Sequence, residues 1–298
     1  MINTKCAICG NKEKLEVLYP ATFNLSNLGP KAFSARRTPD GTHYRFVKCL
    51  NCGLIFSNPI LPLTQIAKLY KDSTFDYAPE SKYLKKTYGA VLERMLPRMD
   101  VQKIRLLDIG CGNGFFLERA GELGVKHVFG VEPSIPAIKI APKHLQSKIK
   151  ASIFKLGLYR PHTFDIVCCF HTLDHVIDPT AFIKEAHQIL SKDGQVSVIV
   201  HDTGGLSVKL FGEKSPIFDI EHIYLFNKAT LRRIFMMCGF KTADVFDIEN
   251  EYPLVYWFRM IPLPSWIKKN LIKLLILLNL DKVPLKLKSG NIGIIAKK

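Results

Sequence analysis

The run Leu106-Leu107-Asp108-Ile109-Gly110-Cys111-Gly112-Asn113-Gly114 constrains this chain more than any other stretch. Apolar residues around a single acid, then glycines at alternate positions, then the helical pattern Phe115-Phe116-Leu117-Glu118-Arg119-Ala120 read as buried strand, tight loop and helix. Glycines permit positive φ and place no Cβ between backbone and ligand, so a nucleotide-bearing cofactor can lie directly on the chain. The dinucleotide fingerprint would need its third glycine at position 115, where Phe115 stands, and a phosphate loop would need a Gly-Lys-Ser/Thr that is absent. The loop is not built for a diphosphate.

Val128-Phe129-Gly130-Val131-Glu132 is a second short buried strand, ending in an acid about 20 residues past the loop, where a carboxylate can accept both hydroxyls of a ribose. With this acid in place, the loop resembles the first motif of the class I S-adenosylmethionine-dependent methyltransferases. The resemblance implies a donor without phosphate, its methionine half lying in the space the glycines leave. It implies cofactor contacts from Asp108, Gly110, Cys111, Gly112, Gly114, Glu132, Pro133, Phe170 and His171, with Asp108 near the amino group.

From Ile104 onward buried strands alternate with amphipathic helices, at Ile104–Ile109, Phe115–Leu123, Val128–Glu132, Ile135–Leu145, Asp165–Phe170, Ala181–Leu190, Val196–His201, Lys228–Cys238 and Lys241–Ile248. Strands without polar alternation mean a mostly parallel, doubly wound α/β sheet covered on both faces, with ligands at the carboxyl ends of the strands. Gly110, Glu132, Phe170-His171 and His201-Asp202 are therefore expected along one rim.

The resemblance continues through this span. Phe164–Val167 with Thr172-Leu173-Asp174-His175-Val176-Ile177-Asp178-Pro179 is similar to the family's fourth strand and following loop, although Asp174 stands where glutamate is commoner. Lys192-Asp193-Gly194-Gln195 looks like the turn into the fifth strand, and Ile292-Gly293-Ile294-Ile295-Ala296 resembles the last, antiparallel one. The third strand, placed near Ala151–Leu158, lacks the acid that often meets the adenine amino group, leaving Ser152 or backbone for that contact. Glu221-His222-Ile223-Tyr224-Leu225-Phe226 is similar to a segment of methyltransferases acting on sugars and natural products, a branch in which N-terminal zinc knuckles also occur.

Two such knuckles stand here, Cys6-Ala7-Ile8-Cys9-Gly10 and Cys49-Leu50-Asn51-Cys52-Gly53, with 39 residues between Cys9 and Cys49. Each glycine closes a turn so that two thiolates meet one centre, and Cys6, Cys9, Cys49 and Cys52 together complete a tetrahedral site for structural zinc. A redox pair is the competing reading, disfavoured because no thioredoxin-like pattern surrounds either knuckle. Met1-Ile2-Asn3-Thr4-Lys5 shows no apolar run behind a basic region, and eight cysteines without a signal read as reduced thiols and metal ligands. A cytoplasmic location is expected, with peripheral contact at the inner membrane face left open.

The expected organisation is a knuckle module over 1–58, a helical linker or lid over 59–100 that holds Tyr77, Tyr83 and Tyr88, and a methyltransferase domain over 101–298. Packing is the plainer role for those tyrosines. A hydrophobic, basic insertion falls at about 252–285. Net charge is +16, and residues 259–298 hold nine Lys and Arg against the single Asp281. Such a surplus favours acidic partners. The insertion contains Trp257, Trp266 and Leu274-Leu275-Ile276-Leu277-Leu278, and the seven uncharged residues ending at Leu280 are too few to cross a bilayer. It reads as a cover over the acceptor pocket, a dimer surface or a helix at a membrane surface.

A hydroxyl acceptor must lose its proton, and imidazole is suited to take it near neutrality. His222 and His171 are the candidate bases, with His175 and His201 also on the rim and Asp202 available to orient one of them. The expected activity is methyl transfer to a small-molecule or glycan-type acceptor, a hydroxyl of a nucleotide- or lipid-linked sugar. Methylation of RNA and cofactor or partner binding without turnover are the alternatives. Nucleic acid is the weaker reading, because Lys5 and Lys48 stand nearly alone at the knuckles and no basic stripe with interleaved aromatics is present there.

Overall fold

The computed structural model describes residues 1–23, 40–71, 81–97 and 99–298; Tyr77 of the expected lid lies outside them. Near the N-terminus β1 (Leu15–Tyr19), β2 (Phe46–Cys49) and β3 (Ile55–Ser57) form an antiparallel meander, followed by α1 (Leu63–Lys71) and α2 (Ser81–Met95). The glycine loop then joins β4 (Arg105–Ile109) to α3 (Phe115–Glu122), and β5 (His127–Glu132) carries the acid. One helix expected over Ile135–Leu145 is two, α4 (Ile135–Lys139) and α5 (Lys143–Gln146). Pro142 between them has no N–H to give and its ring would strike the preceding turn, so the first helix stops and a second begins.

The third strand, β6 (Ile149–Ala151), ends where the sequence reading had it begin, and Ser152 onward runs irregularly into β7 (Phe164–Phe170). Next come α6 (Pro179–Ile189) and β8 (Leu190–His201), whose start absorbs the expected turn over Lys192–Gln195 through a register shift opposite Phe164–Ile166. The chain closes with α7 (Leu206–Phe211), β9 (Tyr224–Leu225), α8 (Lys228–Met237), β10 (Thr242–Asp247), β11 (Asn250–Pro253), α9 (Leu254–Met260), α10 (Ser265–Leu277), β12 (Pro284–Leu287) and β13 (Asn291–Lys297).

Seven strands form the main sheet in the order β10-β13-β8-β7-β4-β5-β6, all parallel except β13, which runs antiparallel to β8 and β10 on either side. This is the doubly wound, mostly parallel sheet of a Rossmann-like methyltransferase fold. Its strands are apolar on both sides because both sides are covered: Leu107 and Ile109 enter one core, while Leu106 enters the other. Each such buried side chain contributes about 1.5–3 kcal/mol, which holds β4 rigid beneath its loop.

The knuckle segment is tied to this sheet. β9 pairs with β3 as the fourth strand of the N-terminal sheet, and one core continues from Ile8, Tyr44 and Phe56 to Leu107 and Val167. Thr180 Oγ1 donates to the Ala7 carbonyl at 2.7 Å and the Tyr224 hydroxyl to the Lys5 carbonyl at 2.9 Å. The insertion after residue 252 is a hairpin of β11 with β12 that encloses α9 and α10. Among the described residues, no helix is long and apolar enough to cross a membrane.

Candidate active site

The glycine loop is shaped by backbone that side chains cannot follow. Gly110, Gly112 and Gly114 all have positive φ, at 76°, 54° and 75°. A Cβ on Gly110 would lie 2.3 Å from Thr172 Oγ1, and one on Gly130 would lie 2.6 Å from Cys111 Sγ. Cys111 is itself buried, so only its backbone is offered to a ligand. Phe170 likewise turns its ring into an aromatic cluster with Tyr88 and Phe116, at centroid distances of 4.5 and 4.9 Å. Pro133 is exposed immediately after the acid.

Two buried carboxyls stand beneath the loop. Glu132 accepts from the Gly112 and Ser134 N–H groups at 2.9 and 2.8 Å, bracing loop against strand. Burial raises its pKa despite those bonds, and burial together with the Glu132 charge raises Asp108 well above the carboxylate range. Buried acids whose charged forms are disfavoured in this way favour a cationic neighbour. S-adenosylmethionine carries an ammonium and a sulfonium, so the residues present fit the donor the loop resembles.

Farther along the rim lies a histidine cluster built around Asp174. This acid is fully buried in the short 3₁₀ turn Leu173–His175 after β7, and its Oδ2 lies 2.5 Å from His201 Nδ1 at the end of β8. The rings of His171 and His201 stand 4.9 Å apart, those of His201 and His222 4.4 Å, and those of His175 and His222 4.9 Å. His171 is one of three non-glycine residues with positive φ among those described, at 51°, and its N–H donates to the Ile199 carbonyl. That conformation costs roughly 1–2 kcal/mol and persists because the surrounding strands hold it.

Hydrogen bonding determines what these rings can do. His222 Nδ1 lies 2.7 Å from the Ile217 carbonyl, which can only accept, so Nδ1 carries the proton and the neutral ring keeps its lone pair on Nε2. The same argument applied to the Asp174 carboxylate gives His201 the same tautomer. Burial lowers the His222 pKa, with a contribution from His201, and burial pushes His175 down to about 3. Burial alone would raise Asp174, but His201 and its hydrogen bond, with His175 and His222, outweigh it and hold the carboxyl far below the usual range. Burial thus keeps His175 and His222 neutral beside the Asp174 carboxylate, and the free Nε2 of His222 is suited to receive a proton.

His171 and His222, the sequence candidates, thus stand in one cluster through His201. Asp202 takes no part: its Oδ1 accepts from the Gly204 N–H at 2.8 Å. The orienting acid is Asp174, which sequence reasoning noted only as a departure from glutamate. Its signal was present in Asp174-His175 after an apolar strand, but its pairing with His201 spans 27 residues and appears only when β7 and β8 lie side by side. His171, Asp174 and His201, or Asp174, His175 and His222, have ligand atoms close enough to share a metal ion.

The four knuckle sulfurs lie within 4.8 Å of one another, with Cys6–Cys52 at 3.3 Å and Cys9–Cys49 at 3.5 Å. A tetrahedron with zinc–sulfur bonds of about 2.3 Å has edges of roughly 3.8 Å, so the donor set matches that ion in type and spacing. Gly10 and Gly53, at φ 72° and 79°, close the two turns.

Comparison with known proteins agrees with this geometry. Residues 81–245, more than half of the chain, match the family model described as "Methyltransferase domain". A ubiquinone biosynthesis O-methyltransferase of Neisseria meningitidis serogroup C is 28% identical over 141 residues, 44% of this chain and 59% of that protein. One of the same description from Xanthomonas euvesicatoria is 32% identical over 111 residues, 35% of this chain and 46% of that protein. The chain spans about half the length of the curated relatives it matches. Among solved structures the YcgJ protein of Bacillus subtilis superposes with a TM-score of 0.51 at 17% identity, covering 72% of this chain and 98% of that one, a likeness of fold.

Proposed function

Because the chain belongs to the methyltransferase-domain family, we propose that it is an S-adenosylmethionine-dependent methyltransferase acting on a hydroxyl of a small-molecule acceptor. The acceptor is of glycan type, a nucleotide- or lipid-linked sugar, and a structural zinc is held by Cys6, Cys9, Cys49 and Cys52. The observation that carries the reading is the histidine cluster on Asp174, beside a glycine loop with buried acids. The bound donor supplies a methyl group on a sulfonium, and displacement there needs alignment and a dry site more than acid or base. Gly110, Gly112 and Gly114 make room for it, Glu132 holds the ribose, and Asp108 faces the cationic end.

The protein's own chemistry lies on the acceptor side. His222, with Nδ1 committed to the Ile217 carbonyl, takes the hydroxyl proton at Nε2. The Asp174 carboxylate, hydrogen-bonded to His201, favours the imidazolium as it forms; His171 borders the donor side. The names of the curated relatives support an oxygen acceptor, and the Glu221–Phe226 segment supports a sugar.

Calorimetric titration with S-adenosylmethionine and with NAD tests the donor, and only the first is expected to bind. Transfer of labelled methyl groups to hydroxylated sugars, quinol-type phenols and RNA then tests the acceptor. His222→Gln should lose about 10²–10⁴-fold in kcat while binding the donor normally. Retention of labelled RNA with transfer to it, and none to any hydroxylated small molecule, would overturn the acceptor assignment.

A further inference from the structure

The insertion ends in a surface that the fold leaves bare. Its base is anchored: Tyr252 and Tyr256 stack at 4.0 Å, and Trp257 Nε1–H donates to the Leu285 carbonyl at 3.0 Å. Beyond that base the side chains open to solvent. In α10 only Leu275 is buried, whereas Trp266 is 68% and Leu277 77% exposed, with Leu274, Ile276, Leu278 and Leu280 also exposed. At 100° per residue Trp266, Leu274 and Leu277 share one face with Lys269 and Lys273, both exposed, and Lys282 follows in the adjoining turn. Six large apolar side chains along one helix and the turn after it exceed the scattered exposure that a soluble surface carries without consequence.

We infer that this helix docks along its length on the headgroup layer of a bilayer rich in acidic phospholipid, with Trp266 and Leu277 sunk to the acyl boundary and Lys269, Lys273 and Lys282 among the phosphates. The inference extends the lipid-linked acceptor reading, since it would bring the site to a substrate held at that surface. Charge decides the occupant. A second copy docking by the same face would bring a patch of like charge against these lysines, since residues 259–298 hold only Asp281 to offset nine Lys and Arg. An acidic bilayer supplies both counter-charge and an apolar layer. Length decides the mode: the 13 residues of α10 extend about 20 Å, short of the roughly 30 Å hydrocarbon core, so the helix lies in the interface and does not cross it.

The test is flotation of the full chain with vesicles of phosphatidylcholine alone and of phosphatidylcholine with phosphatidylglycerol, at low and high salt. Binding to the acidic vesicles is expected, weakened by salt and reduced about tenfold or more by Leu277→Asp with Leu278→Asp. The same reduction is expected for Lys269→Glu with Lys273→Glu. These positions are exposed, and donor binding by calorimetry in each variant shows whether the fold and the methyltransferase reading stand independently. Equal flotation of the variants, or no flotation with either vesicle, overturns the inference. So does concentration-dependent dimerisation that the leucine variant abolishes while vesicles capture nothing.

Discussion

The two halves of the rim are built in opposite ways. On the donor side, loop, strand acid and following helix lie within Leu106–Glu132, and their contacts are local: Glu132 reaches Gly112 and Ser134 by folding one βαβ unit. On the acceptor side, His171, Asp174, His201 and His222 come from three separate stretches, and the last is held by a strand of the knuckle sheet. Ser57 of β3 donates its hydroxyl to the His222 carbonyl at 2.8 Å and its N–H to the Ile223 carbonyl at 2.8 Å. The Ile223 N–H in turn donates to the Asp174 carbonyl at 2.8 Å. A donor site can thus survive as a local unit, while the acceptor site depends on the N-terminal module being in register.

That contrast is sharpest at Asp174. Asp174→Asn keeps the side chain's shape but leaves His201 without a carboxylate, and is expected to lower kcat by about 10²–10⁴-fold while donor affinity stays within about twofold. Equal losses in both would erase the distinction between the two halves. The complementary change is Gly110→Ala, which forces a Cβ against Thr172 in a left-handed conformation. It should weaken donor binding by roughly 2–3 kcal/mol, about a hundredfold by calorimetry, and leave acceptor affinity intact.

Removing metal from the knuckles tests the dependence on the module directly. Chelation should lower kcat about tenfold or more through displacement of β9 and His222, with donor affinity nearly unchanged. Donor and acceptor functions lost together would show that the core is too continuous for the halves to be separated.

The pH profile separates them by charge. His222 binds a proton less readily in the folded protein than the roughly 6.5 of free imidazole, so the base remains neutral and competent as pH falls past that value. The acid limb of kcat is therefore expected below 6.5. The unfolded chain takes up the same proton near 6.5, so acidification below that point also favours unfolding, and denaturant titrations should show stability falling with pH there. An acid limb at or above 6.5 would argue against His222 as the base. The smallest effect is expected from Lys85→Ala, which removes ion pairs from α2 to Glu118 and Glu122 of α3. Both acids are exposed, so the loss in thermal unfolding should stay within about 1 kcal/mol and touch neither half.

Legibility in the sequence follows the same division. The glycine loop, Glu132 and the paired cysteine turns could be read because each is a short segment whose spacing forces its geometry. The alternation from Ile104 gave the doubly wound sheet because strands buried on both faces have no polar alternation, and Pro142 broke a helix for a reason that was also written in the chain. The histidines were legible as candidates but not as a cluster. The hairpin of β11 and β12 was not legible, since Asn250–Pro253 and Pro284–Leu287 have no shared pattern and pair only across the insertion.

By itself, the sequence determined which backbone could turn at Gly110, Gly112 and Gly114, which acid closed the second strand, and which sulfurs could meet, since these depend on residues within a turn or two of one another. Tertiary structure decided that Asp174 and not Asp202 would orient the histidines, that a knuckle strand would brace His222, and that the lysines and leucines of α10 would face outward together. Those outcomes depend on which strands lie side by side, and burial and charge act only once the distant segments have been brought within a few ångströms.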